Sequence, residues 1–172
     1  MQLIINDLEF NFKKSAVKEF DTEWASTVHY NKYELGFTFN ESLFLDKQSN
    51  TIVIDWELIE EFASHVLQNL ETIQLKGSLV LEELYRQVFG EESLFRDKGY
   101  FLVGGIELKS FRKKLFEKNL LGDFPLIRYY FEYEIYYFLE SDIHGMLDPY
   151  HSYFARFSNH NNLNIIGVSR IG

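Results

Sequence analysis

Four side chains able to bind a metal or move a proton fall within ten residues: Asp142, His144, Asp148 and His151. Two carboxylates and two imidazoles supply the oxygen and nitrogen donors that a divalent cation takes, and a cation so held would activate water for hydrolysis. The same stretch, Ser141 to Pro149, is also rich in turn residues. His144-Gly145 and Asp148-Pro149 are turn dipeptides, and an Asp side chain readily bonds the backbone two residues on. The first expectation is a turn, and a metal-dependent hydrolase is the alternative.

The remaining chemistry-bearing residues are more scattered. There is no GxxxxGK[ST] phosphate loop, no GxGxxG, no GxSxG elbow and no HExxH helix. With no cysteine, the chain has no thiolate nucleophile, no thiolate metal site and no disulfide. His29 and His65 are isolated, and His65, beside Val66 on the first helix, is expected to be a histidine at the surface or at the edge of the core. His160 falls in an Asn-rich loop. Glu132, Glu134 and Arg128 share one face of a strand. A carboxylate pair there can do acid–base work, but a cross-strand charge ladder with Arg156 or Arg170 is the plainer reading. Tyr129, Tyr133 and Tyr137 fit either a core with polar tips or an aromatic-lined pocket for a small ligand. No cofactor is implied.

Charge is unevenly spread. The chain has 172 residues and a net charge of −9. Residues 55–92 hold nine acids against two bases, while residues 93–172 hold nine against ten. The acidity therefore belongs to one segment, through Glu57, Glu60, Glu61, Glu71, Glu82 and Glu83 and their neighbours. It disfavours nucleic acid and anionic membranes as general partners; it reads first as a solvated helix face that keeps an aromatic-rich protein soluble, and alternatively as a surface complementary to a basic protein. The counterweight is a basic run of Lys109, Arg112, Lys113, Lys114 and Lys118. Without a stacking-aromatic motif, it reads as an exposed helix face rather than a nucleic-acid site.

These residues need elements to hold them. Leu8, Phe10 and Phe12, then Tyr33, Leu35, Phe37 and Phe39, alternate with polar residues, the mark of half-buried antiparallel strands. Residues 15–29 have no clear period. Ile59, Phe62, Ala63, Val66, Leu67 and Leu70 recur at helical spacing behind Asp55 as N-cap. Leu81, Leu84, Tyr85, Val88 and Phe89 do so again, with Ser78 as cap and Gly90 as stop. Lys76-Gly77 is the expected turn between two helices. Tyr100 to Leu108 reads as a strand interrupted by a bulge at Gly104-Gly105, and Ser110 to Leu121 as a short basic helix. Phe124 to Leu139, Tyr150 to Phe157 and Leu163 to Ile171 read as a three-strand meander.

The pattern predicts one α+β domain over residues 1–172, an antiparallel sheet of N-terminal strands and C-terminal meander covered by a helical hairpin. The start, MQLIINDLEF, lacks a basic leader region, and Phe124 to Leu139 is too short and too charged to span a bilayer. A cytoplasmic protein is expected.

The long aromatic strand, DPYHSYFARF and LNIIGVSRI together resemble the closing meander of small bacterial immunity proteins, the antidotes to polymorphic or contact-dependent toxins. Asp148-Pro149-Tyr150, Gly167-Val168 and Arg170 carry the resemblance, over about 45 residues. It implies a non-enzymatic cytoplasmic protein that binds one toxin domain and blocks it. Many such toxins are nucleases with basic surfaces, which the acidic hairpin would suit.

Overall fold

A computed structural model describes residues 1–18, 21–90, 99–116, 126–160 and 162–172. Its elements run β1 (Gln2–Ile5), β2 (Leu8–Asn11), β3 (Lys13–Lys18), β4 (Asp21–Tyr30), β5 (Tyr33–Asn40), a 3-10 turn (Glu41–Phe44), β6 (Leu45–Asp46), β7 (Thr51–Ile52), α1 (Trp56–Gln68) and α2 (Leu70–Phe89). After these come β8 (Gly99–Phe116), β9 (Leu126–Ser141), β10 (Gly145–Met146), β11 (Ser152–Ser158) and β12 (Asn164–Ile171). The fold is α+β. One main sheet, in the order β12-β11-β9-β8-β5-β4-β3, carries the helical hairpin on one face.

The alternating positions point where period two sends them. Leu35, Phe37 and Phe39 of β5 are buried, as are Phe131, Tyr133, Ile135, Tyr137 and Leu139 of β9. From above, α1 closes this surface with Leu58, Ile59, Phe62, Ala63, Val66 and Leu67. Phe62 is the central piece: its ring lies 5.4 Å from Phe131, 5.5 Å from Tyr133 and 6.3 Å from Phe37. Edge-to-face contacts of this kind add to the area each ring removes from water. Asp55 caps α1, accepting a bond from the Leu58 amide at 3.1 Å. Gly90 ends α2 at φ 87°, in the left-handed region that glycine enters without steric cost.

Four local expectations are overturned. The helices break at Asn69, not at Lys76-Gly77. Asn69 Nδ2 donates to the His65 carbonyl at 2.8 Å, so its side chain competes with the helical ladder where α1 ends. Gly77 instead lies buried inside α2, and a Cβ added there would strike the Tyr137 ring. Its role is close approach of helix to sheet.

Ser78 is not a cap. It lies within α2 and donates to the Phe101 carbonyl at 3.2 Å, beside Gln74, which also donates to Phe101 and accepts from the Val103 amide at 2.9 Å. These side chains satisfy β8 backbone groups ahead of the strand's parallel pairing with β5, which spans only residues 105–108 of β8. That parallel pair departs from a wholly antiparallel sheet. The helical hairpin is the crossover that a parallel connection requires.

The basic segment is a strand, not a helix, up to Phe116, with residues 117–121 outside the described residues. It pairs with the aromatic β9 through Phe116↔Leu126. Finally, the stretch 15–29, which shows no clear period, falls largely in the paired strands β3 and β4. The Gly104-Gly105 bulge is present, as a register shift between Val103 and Gly105. Among the described residues, no helix is long and apolar enough to cross a membrane.

Candidate functional site

The Asp142–His151 loop is resolved into separate jobs. Asp142 accepts from the Tyr100 hydroxyl at 3.0 Å, and His144 is exposed. Asp148 accepts from the Tyr153 hydroxyl at 2.6 Å, from His151 Nδ1 at 2.7 Å and from Arg170 Nη2 at 3.3 Å. The Arg170 guanidinium also lies 4.7 Å from the Phe89 ring centroid. Asp148 thus ties the loop to β11 and β12, and through Arg170 to the end of α2. Among the described residues, no three His, Cys, Asp or Glu side chains converge as a metal site would require.

Burial works to raise the Asp148 carboxyl, but hydrogen bonds from Tyr153, His151 and Arg170 outweigh it and hold the group below its usual range. A carboxylate with a depressed folded-state pKa adds stability that is complete above its unfolded value, near 4. That stability disappears as pH falls through the folded value. Asp148→Asn is expected to cost about 1–2 kcal/mol at neutral pH. The gap to wild type should close as urea melts are repeated from pH 6 down to about pH 2. A gap that stays constant with pH would show that the charge on Asp148 is not what stabilises the loop.

The basic run is divided by its strand. Lys109 lies on the sheet face away from the helices, 2.6 Å from Glu107 and 3.2 Å from Glu134. Tyr136 donates to Glu107 there at 2.7 Å. Lys113 reaches the cap of α1, 3.6 Å from Asp55 and 5.2 Å from the Tyr129 ring centroid. Lys118 lies outside the described residues. The cross-strand ladder is present as Arg156 to Glu132 at 3.1 Å, whereas Arg170 is engaged by Asp148.

Tertiary structure also divides the six acidic candidates. Glu82 and Glu83 lie 3.6 and 4.0 Å from Arg86, within one face of α2. Glu71 is exposed beside the β4–β5 turn, lining a shallow cavity with Lys32 and Tyr33. Glu57, Glu60 and Glu61 form one exposed ridge on α1 and make no ion pair among the described residues.

Glu57 and Glu61 form the acidic wall of an open groove of about 990 Å³. Its opposite wall is Arg128, Tyr129 and Tyr130 of β9 with Asn159, His160, Asn162 and Leu163. Asn159 ties that wall together: its Oδ1 accepts from the Phe131 amide at 2.7 Å, and its own amide donates to the Phe131 carbonyl at 3.2 Å. The His160 ring leans on Tyr130, with centroids 4.9 Å apart. His65 is half-buried at the edge of the core, as expected, and lines the groove. Its Nε2 lies 3.3 Å from the Tyr133 hydroxyl, and burial pushes its pKa down, so the ring is neutral at neutral pH.

Tyr133 and Tyr137 do not line an open pocket. They are 0% and 1% exposed, and the Tyr137 hydroxyl donates to the Ile73 carbonyl at 2.9 Å. Tyr129 is half-buried at the groove. Sequence reading placed the acidic wall but not the aromatic one. The Asn-rich loop beside an aromatic strand was the available signal, and nothing local tied it to α1. Compared with protein-family models, with curated proteins and with solved structures, the chain matches none.

Proposed function

We propose that this chain is a non-enzymatic protein-binding module that captures a basic partner domain in the groove between α1 and the wall formed by β9 with Asn159, His160, Asn162 and Leu163. The carrying observation is the ridge of Glu57, Glu60 and Glu61, unpaired by any described cation, beside a groove whose facing wall holds Tyr129, Tyr130 and His160 together with Arg128. Exposed carboxylates next to Tyr and His rings suit Lys and Arg side chains: the acids steer approach and the rings offer cation–π and stacking contacts. The immunity-protein resemblance of the C-terminal strands supplies the partner class, a toxin domain with a basic surface. On this reading the chain acts in the cytoplasm, where it would occupy or cover the toxin's active site.

The test begins with the partner that co-purifies from native cells. Replacing Glu57, Glu60 and Glu61 together by Lys is expected to weaken its binding on the order of 100-fold at low salt. The slope of affinity against ionic strength should become shallower. Unchanged affinity and unchanged slope would exclude the acidic ridge as the docking surface.

A further inference from the structure

We propose that the cavity beside the β8 bulge at Lys109 binds one neutral sugar ring. The cavity has a volume of about 220 Å³ and is lined by Ser110, Arg112, Tyr130, Glu132, Ser158 and His160. Strict alternation from the buried Leu108 would turn Ser110 and Arg112 towards the core. The register shift between Leu108 and Ser110 re-aims both to the sheet face away from the helices. Pairing then sets Ser110, Glu132 and Ser158 side by side across β8, β9 and β11, with Arg112 beside Tyr130 in the next row. Tyr130 and His160 also line the partner groove, so the two sites are neighbours.

The polar groups of this cavity have bonding capacity to spare. Arg112 makes no hydrogen bond or ion pair among the described residues. Ser158 is 9% exposed, and its Oγ accepts from the His160 amide at 3.3 Å. Its hydroxyl hydrogen has no acceptor among the described residues. Glu132 bonds Arg156 through one oxygen at 3.1 Å, and its other oxygen can still accept. A ligand here must accept from Arg112 and Ser158 and donate to Glu132. An oxyanion only accepts and would sit against the Glu132 carboxylate. A cation only donates and would sit against Arg112. Hydroxyl groups do both without adding charge. A zwitterion also does both, but it has no apolar face for the Tyr130 and His160 rings, whose centroids are 4.9 Å apart. The C–H face of a sugar ring packs there. The volume is below the roughly 300–1,000 Å³ of sites for drug-sized ligands, so the cavity takes one ring rather than a chain. With so few contacts, the dissociation constant is on the order of 1 mM.

The experiment is an amide NMR titration of the full chain, without any protein partner. Glucose, galactose, mannose and N-acetylglucosamine are each added to about 20 mM. At least one is expected to shift the amides of residues 110–112, 130–132 and 158–160. The methyl glycoside of that sugar separates two sources: retained binding assigns the terminal sugar of a glycan, and lost binding assigns the free sugar. Arg112→Met removes a side chain that bonds nothing else, so it should weaken binding at least about tenfold while melting like wild type. Glu132→Gln should weaken it as well and serves if Arg112→Met is less stable. Replacing Glu57, Glu60 and Glu61 by Lys should leave sugar binding unchanged, so this site and the partner groove fail independently. Absence of shifts with all of these sugars overturns the proposal. So do shifts with inorganic phosphate, methylguanidinium or glycine but with no sugar, or sugar binding indifferent to both Arg112→Met and Glu132→Gln.

Discussion

Phe62→Ala is expected to remove about 4 kcal/mol of unfolding free energy, in the range for a fully buried aromatic truncated to a methyl group. Phe62 is 2% exposed and joins α1 to both halves of the sheet through Phe37, Phe131 and Tyr133. Losing it removes apolar contacts on several sides, and the surrounding rings cannot all collapse into the void. A typical domain has only about 5–15 kcal/mol in total, so the variant should lie near the edge of folding. Phe62→Leu keeps most of the volume and should cost less than about half as much. Urea titration of the three proteins measures this directly. A cost below about 1 kcal/mol for alanine would mean that α1 is not seated on the sheet through this ring. Because Phe62 also sets how α1 lies beside β9, partner binding to the folded fraction of Phe62→Leu reports whether the groove tolerates a looser α1.

Gly77→Val is expected to cost at least about 3 kcal/mol, the upper end for overpacking a core. The diagnostic variant is Gly77→Ala. On a solvated helix face, alanine in place of glycine stabilises by about 1 kcal/mol. Here its methyl would meet the Tyr137 ring, so the sign should reverse, with a net loss of about 1–2 kcal/mol. Tyr137 cannot retreat easily, because it is 1% exposed and its hydroxyl is bonded to the Ile73 carbonyl. Tyr137→Phe alone forfeits that bond. Combined with Gly77→Ala it removes the nearest clashing atom but leaves the ring carbon Cζ against the new methyl, so the double variant should be more stable than the sum of the singles by no more than about 1 kcal/mol. A stabilising Gly77→Ala would refute the close approach of α2 to β9.

Why Gly77 reads as a turn in sequence and is a contact in the fold is a matter of range. Glycine lowers local helix propensity whatever the tertiary reason for its presence, and its reason here is a tyrosine sixty residues away. The basic stretch is misread for a related cause. Phe111 and Leu115 are four apart, which suits a helix, while the bulge near Lys109 disturbs the strand alternation. Pairing with the aromatic β9 then overrides the local preference. Asn69 had a polar side chain able to bond the preceding turn, but the apolar stripe Leu67, Leu70 and Ile73 runs straight through it.

By itself the amino-acid order determined the α+β class, the buried faces of β5 and β9, the N-cap at Asp55, the stop at Gly90 and the concentration of acid on the hairpin. All of these are local properties: a period of two or 3.6, a capping side chain, a run of like charges. Only the tertiary structure decided that β5 and β8 lie parallel, that Asp148 holds Arg170 rather than a metal-ligand set, and that Glu82 and Glu83 are paired by Arg86. It also decided that Glu57 and Glu61 face Tyr130 and His160 across one groove. Each of these depends on which distant segments pack together, and that is set by the summed burial of the aromatic core rather than by any residue's own neighbours.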